Sequence, residues 1–231
     1  LNAERLDCLL LRPSGNFGNN YMQLIHAVAI AEAHDIPLVL HPFDLFGNLP
    51  AGRAVQLKLG SAPNWRRVVG LEGLFFAKRP IEVLHALTPE RFMELSDSYV
   101  KPVLKWRADT VKGRLVVNLR GGEDIFERSR PPGHYGQPPL SYFIAATEAA
   151  LAAHEISHIQ LVHQDERNPV FGPLCEALAA IGLPFSRSSG GPDADAVAIM
   201  AAEHLIIGKT TFSEALALLS PDMVSLATFG A

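Results

Sequence analysis

Residues 114–124 read RLVVNLRGGED, an apolar run that predicts a buried β-strand and ends at Arg120 and a glycine pair. From this stretch to the end of the chain, strand-like apolar runs alternate with amphipathic stretches of helical length. The pattern predicts strands over residues 114–119, 159–163, 184–186, 205–207 and 223–227, and helices over residues 140–153, 169–181, 195–203 and 212–219. We therefore expect one doubly wound α/β unit with a parallel sheet.

The N-terminal half shows the same alternation over a shorter stretch. A strand is predicted over residues 6–11, a helix over about 20–34 and a strand over 36–40, whereas only short elements can be placed between residues 42 and 89. A further helix over residues 90–105 leads to Lys112-Gly113. We predict two Rossmann-like lobes with parallel sheets, residues 1–112 and 113–231.

Composition excludes several classes of partner. The chain has 231 residues and a formal charge of −4, with lysines and arginines scattered along it, so we expect no nucleic-acid partner. No apolar run approaches the roughly 20 residues of a membrane span. Cys8 and Cys175 lie in apolar stretches, which is typical of buried thiols in a reducing compartment, and a cytoplasmic location is the expectation.

Arg120 follows a predicted parallel strand, and ligands of such sheets bind beyond the carboxyl ends of the strands. Its guanidinium is permanently charged and can bind phosphate oxygens in a bidentate manner without a metal. Gly121 and Gly122 would allow a ligand to approach the backbone. The alternative is a surface arginine in an ordinary glycine turn.

A second candidate anion site follows the strand over residues 205–207. Thr210, Thr211 and Ser213 lie where the next helix begins, and free N–H groups and the helix dipole favour phosphate there. The same hydroxyls are also common N-caps. Arg120 and this helix start both follow strands of the same lobe, so together they could bind a diphosphate.

The turn GNFGNN, residues 15–20, joins the first strand to the first helix, but its glycine spacing differs from the dinucleotide-binding fingerprint. Gly15, Asn16 and Gly18 fit a tight turn and close contact with the backbone. Either Asn19 or Asn20 could simply cap the helix.

Residues 154–158, HEISH, match the zinc-protease motif His-Glu-X-X-His. His158, however, directly precedes a predicted strand, so the helix that should carry both His154 and His158 must end between them. No third ligand follows at a recognisable spacing. We therefore expect no metal site and no cofactor.

Taken in order, these motifs resemble the fucosyltransferase superfamily, which includes bacterial α1,2- and α1,6-fucosyltransferases and protein O-fucosyltransferases. The likeness rests on three blocks, namely residues 14–40, residues 116–126 followed by YGQPPLSY (residues 135–142), and residues 193–220. It implies a GT-B-like pair of Rossmann lobes, a GDP-fucose donor in the C-terminal lobe, and inversion without a metal. Because the chain is shorter than typical members, the N-terminal acceptor lobe is expected to be reduced.

The resemblance also implies roles for individual residues. Arg120 would hold the donor diphosphate, and Ser213 with Thr211 would hold the phosphates from the opposite side. Either Asp193 or Asp195 would contact the base.

Gly15, Asn16 and Gly18 fall in the first block and join the expected donor-binding residues. Asn118, in the second block, is also expected to bind the donor. The family has a histidine at this position that reads guanine, so the identity of the nucleotide base stays open. Compared with the family's motif, this sequence has one additional residue after Gly122. Either Glu123 or Asp124 could therefore occupy the position of the family's aspartate and act as the general base that takes the proton of the acceptor hydroxyl.

The sequence thus predicts an inverting, metal-independent glycosyltransferase that transfers fucose from GDP-fucose to a glycan or another hydroxyl acceptor. Two alternatives remain, namely a glycosyltransferase with another nucleotide sugar and a non-catalytic nucleotide-sugar-binding protein. The sequence assigns neither the acceptor nor the oligomeric state.

Overall fold

The computed structural model describes residues 7–40, 57–59, 67–78, 84, 86–121 and 136–229. The chain forms two compact units that divide between Lys105 and Trp106. The sequence placed the boundary after Lys112, but this residue lies inside a continuous strand, Val111–Leu119, so the division falls before that strand. Both units contain parallel sheets, which confirms the predicted α/β class with two Rossmann-like units.

The N-terminal unit is built around a central strand that is buried on both faces. Its elements are β1 (Cys8–Arg12), α1 (Phe17–Ala33), β2 (Leu38–Leu40), β3 (Leu57–Leu59), β4 (Val68–Glu72), α2 (Phe75–Lys78), α3 (Pro89–Leu95), a π-helical turn (Ser96–Val100) and a 3₁₀ turn (Lys101–Val103). The strands pair in parallel in the order β3-β2-β1-β4. At the carboxyl ends of β1 and β4, Arg12 donates to Glu72 over 2.7 Å.

The C-terminal unit repeats this plan with five strands in the order β7-β6-β5-β8-β9, all parallel. Its elements are β5 (Val111–Leu119), α4 (Leu140–Ala153), β6 (His158–His163), α5 (Phe171–Ala179), β7 (Phe185–Ser188), α6 (Pro192–Met200), β8 (Ala202–Ile207), α7 (Thr211–Leu219) and β9 (Ser225–Thr228). β5 is the first strand in sequence and lies at the centre of the sheet, as expected for a doubly wound unit.

The helices of the C-terminal unit cover both faces of its sheet. On one face, Leu115, Val117 and Leu119 of β5 pack with side chains of α4 and α5 such as Phe143 and Leu174. Side chains alternate between the two faces of a strand, so Asn118 points to the other face. There the Ser213 hydroxyl of α7 donates to the Asn118 side chain, and α6 packs against α7.

Most predicted elements of the C-terminal unit are observed with small changes in their bounds. The helix over 140–153 is found at Leu140–Ala153. The helix predicted over 195–203 instead ends at Met200, because Glu203 already belongs to β8. In the N-terminal unit, the helix predicted over 90–105 is observed as an α-helix only over Pro89–Leu95, and a π-helical turn and a 3₁₀ turn follow it. Pro102 lies in that segment and lacks the N–H that a regular helix would need.

Of the helices that the structure describes, none combines the length and the apolar character that a membrane crossing requires.

Gly113 and Gly172 offer a matched pair of tests for the fold. Gly113 has φ +72°, and a Cβ there would lie 2.5 Å from Ser157 Oγ. We expect Gly113→Ala to destabilise the protein by about 1–2 kcal/mol or more. A Cβ added at Gly172, within α5, would have no other atom within 4 Å, its chain neighbours and the backbone of its own helix aside. Gly172→Ala should therefore stabilise the folded protein by up to about 0.5–1 kcal/mol. Urea unfolding measures both, and equal stabilities would contradict the assigned backbone conformation.

Candidate active site

The candidate site lies where the chain reverses its direction of winding, at the carboxyl ends of β5 and β8. These strands are neighbours, and Asn118 of β5 lies opposite Ile207 of β8. The chain after β5 leads to α4 on one face of the sheet, whereas the chain after β8 leads to α7 on the other. The helices that follow these two strands therefore lie on opposite faces, and doubly wound sheets bind ligands at the edge where this happens.

Arg120 and the segment that opens α7 meet at this edge of the sheet. The Arg120 Nη1 donates to the main-chain oxygen of Lys209 over 3.2 Å. Lys209 directly precedes Thr210, and Thr211 is the first residue of α7. The structure thus brings together the two features that the sequence predicted as anion sites.

The N-terminus of α7 presents main-chain N–H groups. The residue before the helix, Thr210, is buried and makes no side-chain cap. The first N–H groups of an α-helix have no carbonyl partner within it, and the helix dipole adds partial positive charge there. Thr211 is exposed at this end. The segment can therefore attract an anion whether or not its hydroxyls take part.

Ser213 and Asn118 bind each other inside the unit. The Ser213 side chain is completely buried, and its Oγ donates to Asn118 Oδ1 over 2.7 Å. Asn118 Nδ2 in turn donates to the main-chain oxygen of Val162 over 3.3 Å. This chain of bonds fastens the start of α7 to β5 and β6. The predicted contacts of Asn118 and Ser213 with the donor stay predictions.

Asp195 lies in the first turn of α6 and is 9% exposed. Its Oδ1 is buried without a hydrogen-bond partner. Burial raises the pKa of Asp195 from 3.8 to about 6, although a hydrogen bond from the backbone of Gly190 acts in the opposite direction. A carboxyl group held in this state is a candidate for ligand contact.

Asp193 is exposed at the same helix start and accepts a hydrogen bond of 2.9 Å from Trp106 Nε1. The buried Trp106 ring also meets Phe212 of α7 edge-on, with centroids 6.2 Å apart. Trp106 therefore links the starts of α6 and α7. No sequence pattern pointed to Trp106, because it lies outside every predicted strand or helix of this unit.

The turn after β1 is the corresponding position in the N-terminal unit. Gly15 has φ +84°, Asn16 precedes α1 without capping it, and Gly18 is buried within α1. The Asn20 side chain donates to the oxygen of Gly15 over 3.2 Å, and Gln23 makes two bonds to the main chain of Ser14. The turn is thus held by two amides of α1, and donor binding here remains a prediction.

Glu123 and Asp124, the two predicted proton acceptors, lie outside the described residues. Two residues that the sequence analysis missed, Gln164 and Asn168, follow β6 and bind the main chain at Arg120 and Gly121. Their position just after a predicted strand was the available signal, since the ends of parallel strands converge at one edge.

The HEISH motif does not form a zinc site of the protease type. Helix α4 ends at Ala153 and His158 begins β6, so the two histidines do not share a helical face. His158 pairs with Ser186 over 2.8 Å, whereas His154 stacks on His204 with ring centroids 4.4 Å apart. Across the described ranges no group of three or more His, Cys, Asp or Glu could hold a metal ion.

Comparison with known proteins adds a likeness of fold. No protein-family model and no curated protein sequence matches the chain. Among solved structures, POFUT1 in complex with GDP matches with a TM-score of 0.56 and 11% identity, and the match covers 97% of this chain and 99% of that chain. The two proteins share a fold. The predicted GT-B-like, Rossmann-type architecture agrees with this likeness.

The raised pKa of Asp195 predicts a pH dependence of stability. Because the unfolded chain releases this proton near 3.8 and the folded protein near 6, the carboxyl destabilises the fold above that window and not below it. Asp195→Asn should therefore be more stable than the wild type at about pH 8, and the difference should shrink as pH falls through the window. Urea unfolding across this range measures it; a difference independent of pH would contradict the assignment.

Proposed function

We propose that this protein is an inverting, metal-independent glycosyltransferase that binds a nucleotide sugar at the carboxyl edge of the C-terminal sheet and transfers its sugar to a hydroxyl acceptor. The observation that carries the proposal is the meeting of the Arg120 guanidinium with the segment that opens α7, at the switch point of the sheet. The fold shared with POFUT1, whose structure holds GDP, supports the same reading.

The diphosphate of the donor would lie between Arg120 and the N-terminus of α7. A guanidinium can bind two phosphate oxygens at once, and main-chain N–H groups of Thr211 to Ser213 would bind others. Because the Ser213 hydroxyl already donates to Asn118, the contact assigned to Ser213 would come from its N–H. Both groups are placed before the reaction begins, so they stabilise the charge that grows on the departing diphosphate.

The reaction would be a single displacement. The acceptor oxygen forms a bond to the anomeric carbon from the face opposite the diphosphate, and the bond from that carbon to the diphosphate oxygen breaks with both electrons leaving on the phosphate. The proton of the acceptor hydroxyl passes to a carboxylate, for which Asp124 and Glu123 are the predicted candidates. Inversion follows from attack on the opposite face.

The base is proposed to be guanine, read by acidic residues at the start of α6. Guanine presents adjacent N–H donors, which a carboxylate can accept. Asp195 offers a buried Oδ1 without a partner, and Asp193 lies two residues earlier and is exposed. Asn118 binds Ser213 and Val162 through its two side-chain atoms, so base reading would rest on the aspartates. GDP is accordingly the proposed nucleotide, and fucose is the sugar that the resemblance in sequence implies.

A glycosyltransferase with a different nucleotide sugar is the second candidate. The observation that favours it is the same inward pairing of Asn118, because this position in the resembling family carries the histidine that reads guanine. A non-catalytic nucleotide-sugar-binding protein is the third, and absence of transfer from a donor that binds would support it.

We expect GDP to raise the melting temperature more than UDP or ADP does at equal concentration. A ligand that binds only the folded state stabilises it according to its affinity, and only guanine offers adjacent donors to Asp193 or Asp195. Thermal-shift measurements with the three nucleotides test this, and the GDP shift should persist in EDTA. Equal shifts would remove the guanine assignment, and a shift lost in EDTA would remove metal independence.

Arg120→Ala is expected to weaken GDP binding by roughly tenfold to a hundredfold, since a charge-assisted hydrogen bond contributes about 1.5–3 kcal/mol. Arg120→Lys should recover only part of this affinity, because an ammonium group cannot bind two oxygens in the same plane. Calorimetric titration and melting curves provide the measurements. Lys112→Ala is the matched control, a cation removed from the opposite end of the same strand. Unchanged affinity in folded Arg120→Ala would rule out the proposed donor site.

A further inference from the structure

The peptide group between Arg120 and Gly121 is held at both of its polar ends by one loop. Its carbonyl oxygen accepts a hydrogen bond of 2.8 Å from Asn168 Nδ2. Its N–H donates to Gln164 Oε1 over 3.3 Å. This peptide lies just beyond β5, which ends at Leu119, so side chains supply the bonds that strand pairing supplies within the sheet. We refer to Gln164 and Asn168 as the amide clamp.

Asn168 is fixed by further bonds. It is 2% exposed, and its Nδ2 also donates to Gln137 Oε1 over 2.8 Å. Its Oδ1 accepts from the N–H of Val170 over 2.9 Å. Rotation of this amide would break all of these bonds and leave buried polar groups unsatisfied, which is unfavourable. The side chain therefore has one preferred orientation.

The turn after β5 also packs tightly against the clamp loop. A Cβ on Gly121 would lie 2.7 Å from the Cβ of Asp165 and 2.9 Å from its main-chain nitrogen. Asp165 is itself fixed, because the Arg167 guanidinium donates to both of its carboxylate oxygens. The contact requires a glycine at residue 121 and allows little movement of the Arg120 backbone.

We infer that Gln164 and Asn168 are positioning residues, which set the direction of the Arg120 guanidinium toward the donor diphosphate; this inference rests on the proposed function. The direction of a side chain follows from the backbone angles at its Cα, and the clamp fixes the peptide that follows Arg120. Bidentate binding of phosphate demands placement within about 0.5 Å. Asparagine suits this position because two donors are needed from one buried nitrogen.

The primary test is Asn168→Asp, which keeps the shape of the side chain and replaces a double donor with an oxygen that faces two acceptors. GDP affinity, measured by calorimetry, should fall about tenfold, as expected for one well-placed hydrogen bond. Gln164→Ala, at an exposed position, should cause a smaller loss in the same direction, and it keeps the test available if Asn168→Asp does not fold. Hydrogen exchange at the Gly121 amide should become faster in both variants.

A double-mutant cycle separates positioning from general stability. If Asn168 acts through Arg120, Asn168→Asp should cause no further loss of GDP affinity in an Arg120→Ala background. Thr147→Val is the matched control, because it removes a buried hydroxyl that bonds within α4. It should lower the melting temperature and leave GDP affinity unchanged.

Three results would overturn the inference. A folded Asn168→Asp protein with wild-type GDP affinity would show that the clamp is structural only. Equal losses with and without Arg120 would show that Asn168 acts independently of it. A wild-type protein that binds no nucleotide would instead overturn the proposed function, and this inference with it, so the two failures are distinguishable.

Discussion

Strand β5 hydrogen-bonds to β6 on one side and to β8 on the other, and all three strands run parallel. The chain reaches β8 only after it has built β6 and β7, so the helices that follow β5 and β8 lie on opposite faces of the sheet. Polar groups that follow three strand ends then contact one another at this edge of the sheet. Arg120, Asn168 and the start of α7 owe their proximity to this pairing.

The hydrogen bonds at this edge hold the charged Arg120 and the N-terminus of α7 in fixed positions. The start of α7 is tied to β5 through Ser213 and Asn118, and the peptide after Arg120 is tied to the loop after β6. Hydrogen bonds inside a protein are stronger than in water, and a fully satisfied network restricts a site to one arrangement. A guanidinium and a helix N-terminus held in this way need little reorganisation as charge develops on a phosphate.

The sequence predicted the layers of the fold better than the contacts of the site. Buried parallel strands form continuous apolar runs, so local sequence was enough to predict residues 114–119 of β5. The helix Leu140–Ala153 was likewise predicted from its local pattern. The bond between Asn118 and Ser213 joins residues 95 positions apart, and Asn168 lies 48 positions from Arg120. No periodicity encodes such pairs, because the sheet alone brings them together.

Asp195 is the residue at this edge whose burial is not explained by stability. A buried polar atom without a partner is unfavourable, and a buried carboxyl more so, which is why its pKa rises. A fold shaped for stability alone would replace this carboxyl by an apolar or fully bonded side chain, as at Thr147, whose hydroxyl bonds to Phe143 within α4. Locally unfavourable groups are expected where a ligand supplies the missing partner. Under the proposed function, the unpaired oxygen at the start of α6 would accept a hydrogen bond from a donor group on the ligand, on the same face of the sheet as the start of α7.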